Sequence, residues 1–228
     1  MQHLLLLHGA IGAKDQLQEL ADLLGTKYHI HTINFSGHGD ALAGNNDFSI
    51  AGFANEVLSY MQQNKISVSA IFGYSMGGYV AMYMARNYPH TVSKIITLAT
   101  KFHWDEAIAA KEVKMLDAAT IEEKVPAFAE QLRQRHGKEN WKILLGKTRD
   151  LLLQLGINNT LQLSDYSDIS APCLLLLGDK DKMVTKAETI AVQQALPNGD
   201  YRELANTHHP IEQVDRAILA GIIEEFLQ

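Results

Sequence analysis

The chain has 228 residues, 46% of them apolar and 20% charged, with a formal net charge of −6. That length favours one domain with a full core, and that balance belongs to a globular protein rather than a disordered one. The acidic surplus leaves no basic footprint for nucleic acid, and no run approaches the ~20 apolar residues that span a bilayer.

The opening, MQHLLLLHGA, has four leucines and no basic stretch before them, so residues 3–7 read as a buried strand rather than a leader peptide. A helical pattern covers 14–24, and a strand over 29–34 runs into NFSGHGD. A helix is expected over 50–63. The strand at 69–72 leads through GYSMGG into a helix over 76–87, and another strand covers 94–99. From 101 to 170 only helical patterns occur, with Pro126 suited to a first turn and Gly137 and Gly156 to helix stops. That is too much chain for a loop, so it reads as a helical insertion. The remainder alternates strand 173–177, helix 184–195, strand 201–204 and helix 211–227. Continuous apolar strands alternating with helices imply an α/β fold with a mostly parallel sheet of about six strands, covered on both faces. Ligands of such sheets sit beyond the carboxyl ends of the strands. The single cysteine, Cys173, lies in APCLLLLG, which suits core packing, excludes an internal disulfide and fits the cytoplasm.

Residues 73–77, Gly-Tyr-Ser-Met-Gly, form a G-x-S-x-G pattern between a strand and a helix. Such a turn strains the backbone at the serine and exposes its hydroxyl above the sheet, beside the free amides of a helix start. The bland alternative is that Ser75 merely caps the helix. A serine nucleophile needs a base, an orienting acid and oxyanion donors. Asp179 and Asp181 follow the strand in LLLLGDKDKMV, and His208 and His209 follow the last strand in YRELANTHHPIEQV. The chain order is Ser, Asp, His.

Taken together, LLLLHGAIG, NFSGHGD, GYSMGG, GDKD and HHP resemble the ordered motifs of the α/β-hydrolase fold family along essentially the whole chain. The resemblance implies a single domain over 1–228, with residues 101–170 as a helical cap. It implies Ser75 as nucleophile, Asp181 as the acid in G-x-x-D, and His208 as the base in H-x-P. Asp179 then becomes a turn or capping residue and His209 a neighbour or packing residue, while Asp105, a second family location for the acid, looks too distant. The backbone amides of Ala10 and Met76 would form the oxyanion hole. His8 and His38 read as structural. His103 follows a strand end and could face the pocket; with Trp104, Trp141 and Met183 it is a candidate substrate contact. The implied activity is hydrolysis of an ester, thioester or related acyl bond through an acyl-enzyme, on a small-molecule substrate, without metal or organic cofactor. Carbon–carbon hydrolysis, acyl transfer, perhydrolysis and ligand-binding reception are alternatives on the same fold, and the oligomeric state is open.

Overall fold

Alternation along the leucine run sets the layers. Successive side chains of a strand point to opposite faces, so β1 (His3–Leu7) sends Leu5 and Leu7 to one core and Leu4 and Leu6 to the other, all fully buried. In the computed structural model, which describes residues 1–41 and 48–228, β1 pairs in parallel with β2 (His29–Thr32) and β3 (Ser69–Tyr74). Beyond β3 follow β4 (Val92–Leu98), β5 (Cys173–Gly178) and β6 (Gly199–Leu204), again all parallel. Among the described residues these strands form one six-stranded sheet in the order β2-β1-β3-β4-β5-β6.

Helices cover both faces. α1 (Gln18–Leu24) and the C-terminal α9 (Arg216–Leu227) pack on the face carrying Leu4 and Leu6. α2 (Ile50–Gln63), α3 (Met76–Asn87) and α8 (Lys186–Ala195) cover the face carrying Leu5 and Leu7. α8 starts two residues later than the sequence pattern suggests. Val184 gives its amide to Asp181, and Thr185 caps the helix in a reciprocal box with Glu188. α9 starts at Arg216, capped by Asp215, after a separate 3-10 turn over Ile211–Gln213.

Between β4 and β5 the chain forms α4 (Glu106–Glu112), α5 (Ala118–Lys124), α6 (Pro126–His136) and α7 (Asn140–Ile157). These helices enclose a small core of their own from Ile121, Ala129, Leu132, Trp141 and Leu145. The sheet reverses its winding at β1, which lies between β2 and β3. The crevice at the carboxyl ends of β1 and β3 is therefore where the fold places a ligand.

Candidate active site

Ser75 joins β3 to α3 with φ 51° and ψ −117°, a left-handed conformation for a residue with a side chain. The strain, roughly 1–3 kcal/mol, is held by neighbours on every side. The Ser75 amide donates to the Leu98 carbonyl at 2.8 Å, and its own carbonyl accepts from Thr100 Oγ1 at 3.0 Å. The glycines permit the turn by close approach: a Cβ on Gly77 would lie 2.4 Å from the Leu7 carbonyl oxygen, and one on Gly73 2.4 Å from the Gly78 nitrogen. Ser75 makes no side-chain cap for α3. That missing bond removes the capping alternative, and Ser75 lines the cavity.

Asp181 divides its carboxylate between two tasks. Oδ1 accepts the amides of Met183 and Val184 at 2.8 and 2.9 Å, and Oδ2 lies 2.8 Å from His209 Nδ1. Burial pushes the Asp181 carboxyl up, but the His209 hydrogen bond and charge and the two amides outweigh it, and its pKa falls below the ordinary value. A carboxylate on Nδ1 fixes the proton there and leaves Nε2 as the basic nitrogen.

The histidine on Asp181 is thus His209, and the expectation for His208 is corrected. Burial alternates through the loop: Thr207 is buried, His208 is exposed, and His209 has only 13% of its side chain accessible. The phase is set by Asp179, whose Oδ1 accepts the Thr207 amide at 3.0 Å, and by Lys180, whose amide donates to the Thr207 carbonyl at 3.0 Å. Those bonds tie Thr207 inward, so its neighbour points out and His209 points in. Asp179 accordingly fills the turn role expected of it. Tyr74, which sequence reasoning passed over, donates its hydroxyl to the His209 carbonyl at 3.1 Å and joins the elbow to the histidine loop. The one available signal was an aromatic residue inside the elbow pentapeptide.

Ser75 and His209 open onto one cavity of about 750 Å³, bounded by the sheet edge below and by helices of the insertion above. Ala10 and Met76 both line it, and among the described residues neither amide is taken by a backbone partner. Met76 is the first residue of α3, where amides have no partner within the helix. Of the four candidate substrate contacts, Trp104 and Met183 line the cavity, with Phe128 and Leu152 adding apolar wall. The other two substrate candidates do not. Trp141 is fully buried in the insertion's own core, because its face of α7 turns toward α5 and α6. His103 is exposed and lies 3.6 Å from Asp105 on the outer surface.

Two further histidines tie backbone segments together. His8 sits fully buried with Nδ1 on the Gly9 carbonyl at 2.8 Å and Nε2 accepting the Phe35 amide at 3.1 Å; burial lowers its pKa to about 4. His136, at the end of α6, was also passed over. Its Nε2 lies 2.9 Å from the Ile11 carbonyl, and its Nδ1 accepts the Gly39 amide at 2.8 Å. One imidazole thereby ties the insertion to the loop holding Ala10. Among the described residues no group of histidine, cysteine or acidic side chains is arranged to hold a metal ion, and no helix is long and apolar enough to cross a membrane.

Residues 2–129 match the family model described as "alpha/beta hydrolase fold". A Bacillus subtilis (strain 168) protein bearing the provisional name 2-succinyl-6-hydroxy-2,4-cyclohexadiene-1-carboxylate synthase is 25% identical over 97% of this chain and 88% of its own length. A pimeloyl-(acyl-carrier protein) methyl ester esterase of Aliivibrio salmonicida (strain LFI1238) is 29% identical over 58% of this chain and 46% of its own length. Among solved structures, MenH from S. aureus superposes with a TM-score of 0.80 at 23% identity, covering 99% of this chain and 93% of that one. The enol-lactonase from Burkholderia xenovorans LB400 superposes with a TM-score of 0.79 at 18% identity, covering 99% and 91%. At these identities the superpositions speak for the fold.

Proposed function

The chain belongs to the alpha/beta hydrolase fold family and is an enzyme, and we propose that it hydrolyses an ester, thioester or related acyl bond through an acyl-enzyme on Ser75. One observation carries this reading: a strained serine that caps nothing shares a cavity with a histidine whose Nδ1 is held by a buried aspartate. In the proposed cycle His209 Nε2 takes the Ser75 proton as the hydroxyl attacks the substrate carbonyl. The amides of Ala10 and Met76 receive the oxyanion. His209 then protonates the leaving alcohol or thiol, and the same base activates water to release the acid. Losing one oxyanion donor typically costs about 3–4 kcal/mol in the transition state.

The esterase named among the relatives supports acyl-bond cleavage. The full-length likeness to a synthase favours a second reading, in which the same residues act on a different bond. We place the protein in the cytoplasm, a reading that rests on its single cysteine, Cys173, which is free and buried and suits a reducing compartment.

A fluorophosphonate probe tests the nucleophile. Wild type should be labelled once and should turn over nitrophenyl acyl esters to equal amounts of acid and phenol. Ser75→Ala should fold, resist labelling and lose turnover by on the order of 10⁶. Labelling that survived the substitution would remove the mechanism, and labelling without turnover would favour reception or another reaction.

A further inference from the structure

The charges around the cavity do not balance. Lys101, Glu112, Arg135 and Glu212 all line it. Lys101 Nζ is 4.0 Å from Glu188, and Arg135 meets Asp15 at 3.1 Å and Glu212 at 3.6 Å. Glu212 also accepts from Gln16 Nε2 at 2.6 Å. Lys101, Arg135 and Glu212 thus each have a counterpart. Glu112 has none among the described residues: it is only 5% exposed, and its Oε2 is buried without a hydrogen-bond partner.

A second orphan lies on the same wall. Thr148 on α7 lines the cavity at 1% exposure, and its Oγ1 is likewise buried and unpartnered. A helical threonine ordinarily gives its hydroxyl to the carbonyl one turn back, and here it does not. Glu112 is the last residue of α4, where the chain passes directly into a 3-10 turn over Val113–Leu116. α4 and α7 pack against each other, so two costly polar groups stand on adjoining helices. Eight buried side-chain atoms lack a hydrogen-bond partner among the described residues, and of these only the Glu112 and Thr148 atoms belong to residues that line the cavity, where a ligand could satisfy them. Apolar side chains line the same cavity, among them Met115, Leu116, Leu151 and Leu152.

We propose that Glu112 and Thr148 form a recognition site for the ammonium end of the substrate's apolar chain. The preferred substrate is then an acyl compound whose chain ends in a cationic amine, seated against the insertion while its carbonyl lies at Ser75. An ammonium supplies the donors and charge that a carboxylate accepts, and one of its protons can go to the threonine hydroxyl. The substrate role rests on the hydrolase reading above; the amine site itself rests on the cavity wall.

Calorimetry on the full chain with hexylamine, hexan-1-ol and hexanoate reads the site without any reaction. Hexylamine should bind about tenfold or more tightly than hexan-1-ol, with hexanoate weakest. Glu112→Gln should abolish that preference, and Thr148→Val should reduce it severalfold, so either variant alone can decide if the other fails to fold. A parallel arm compares nitrophenyl 6-aminohexanoate with its methyl-ended counterpart, nitrophenyl heptanoate. Should hexylamine bind no better than hexan-1-ol, or keep its advantage in Glu112→Gln, the amine site is overturned. If the amine preference holds while both esters stay intact, the hydrolase reading fails and the site stands. If both esters are cleaved with no preference that Glu112 controls, the site fails and the hydrolase stands.

Discussion

Asp181 has two oxygens and spends them differently, one on the amides of Met183 and Val184 and one on His209. The amides lock the carboxylate in place, so it can orient the imidazole and stabilise its positive charge when a proton arrives. With its folded pKa held below the ordinary value, Asp181 is ionised at neutral pH. Its contribution to stability is present above the unfolded pKa and is lost as pH falls through the folded one. Asp181→Asn should therefore fold at neutral pH but lose ester turnover by on the order of 10⁴. His209→Ala should be nearly inactive while the exposed His208→Ala keeps most of its rate. Comparable loss in both histidine variants, or the reverse ranking, would show that the Asp181 contact does not define the base. In the sequence, the placement of Ser75 and Asp181 at strand ends was legible because each follows an apolar strand within a spaced glycine motif. The choice between His208 and His209 was not. It depends on which way the chain emerges from the Thr207 bonds to Asp179 and Lys180, and those bonds join residues 27 or 28 positions apart.

Between β4 and β5, helical spacing revealed the insertion but not which of its side chains would meet the cavity. Periodicity identifies an apolar face and says nothing of what covers it. Trp104 and Trp141 illustrate the difference: one lines the cavity and the other fills the core of the insertion. Trp141→Ala should lower unfolding free energy by about 3–5 kcal/mol, as for other fully buried large aromatics, measured by urea titration. Trp104→Ala should instead change the preferred acyl length, since each methylene in a pocket is worth about 1–3 kcal/mol. A series of nitrophenyl esters of graded length reads this directly. An equal slowing of every ester would mean that Trp104 does not set length. His136 links the same insertion to the loop of Ala10 through Ile11 and Gly39. Its replacement by Ala should lower kcat for all chain lengths with little change in KM, because it acts on the proposed oxyanion loop and not on the acyl wall. A rise in KM confined to long esters would assign His136 to the wall instead.

Across the whole molecule, the parallel sheet gathers the ends of β1, β3, β5 and β6 at one edge, so residues distant in the chain meet there. Continuous apolar strands made that layout legible from sequence, with strand ends differing by only a residue or two. The same packing buries two histidines near the reversal point, His8 after β1 and His38 in the loop after β2. Burial is the main cause that lowers both pKa values, His8 to about 4 and His38 well below its ordinary value. In the unfolded chain these rings take protons as pH falls through about 6.5, while the folded chain refuses them. The unfolded state then binds more protons, so stability must rise with pH in this range. The contribution is fully present above pH 6.5 and is lost on acidification toward pH 4. For His8 alone the loss approaches about 3 kcal/mol at the lower end. Most carboxylates titrate below pH 5, so the interval from pH 6.5 to 5 isolates the histidines. Urea unfolding at pH 7, 6 and 5 should show stability falling across that interval, with a shallower fall in His8→Asn even if that variant is weaker throughout. A wild-type stability independent of pH between 6.5 and 5 would mean that these buried rings are not held neutral by the fold.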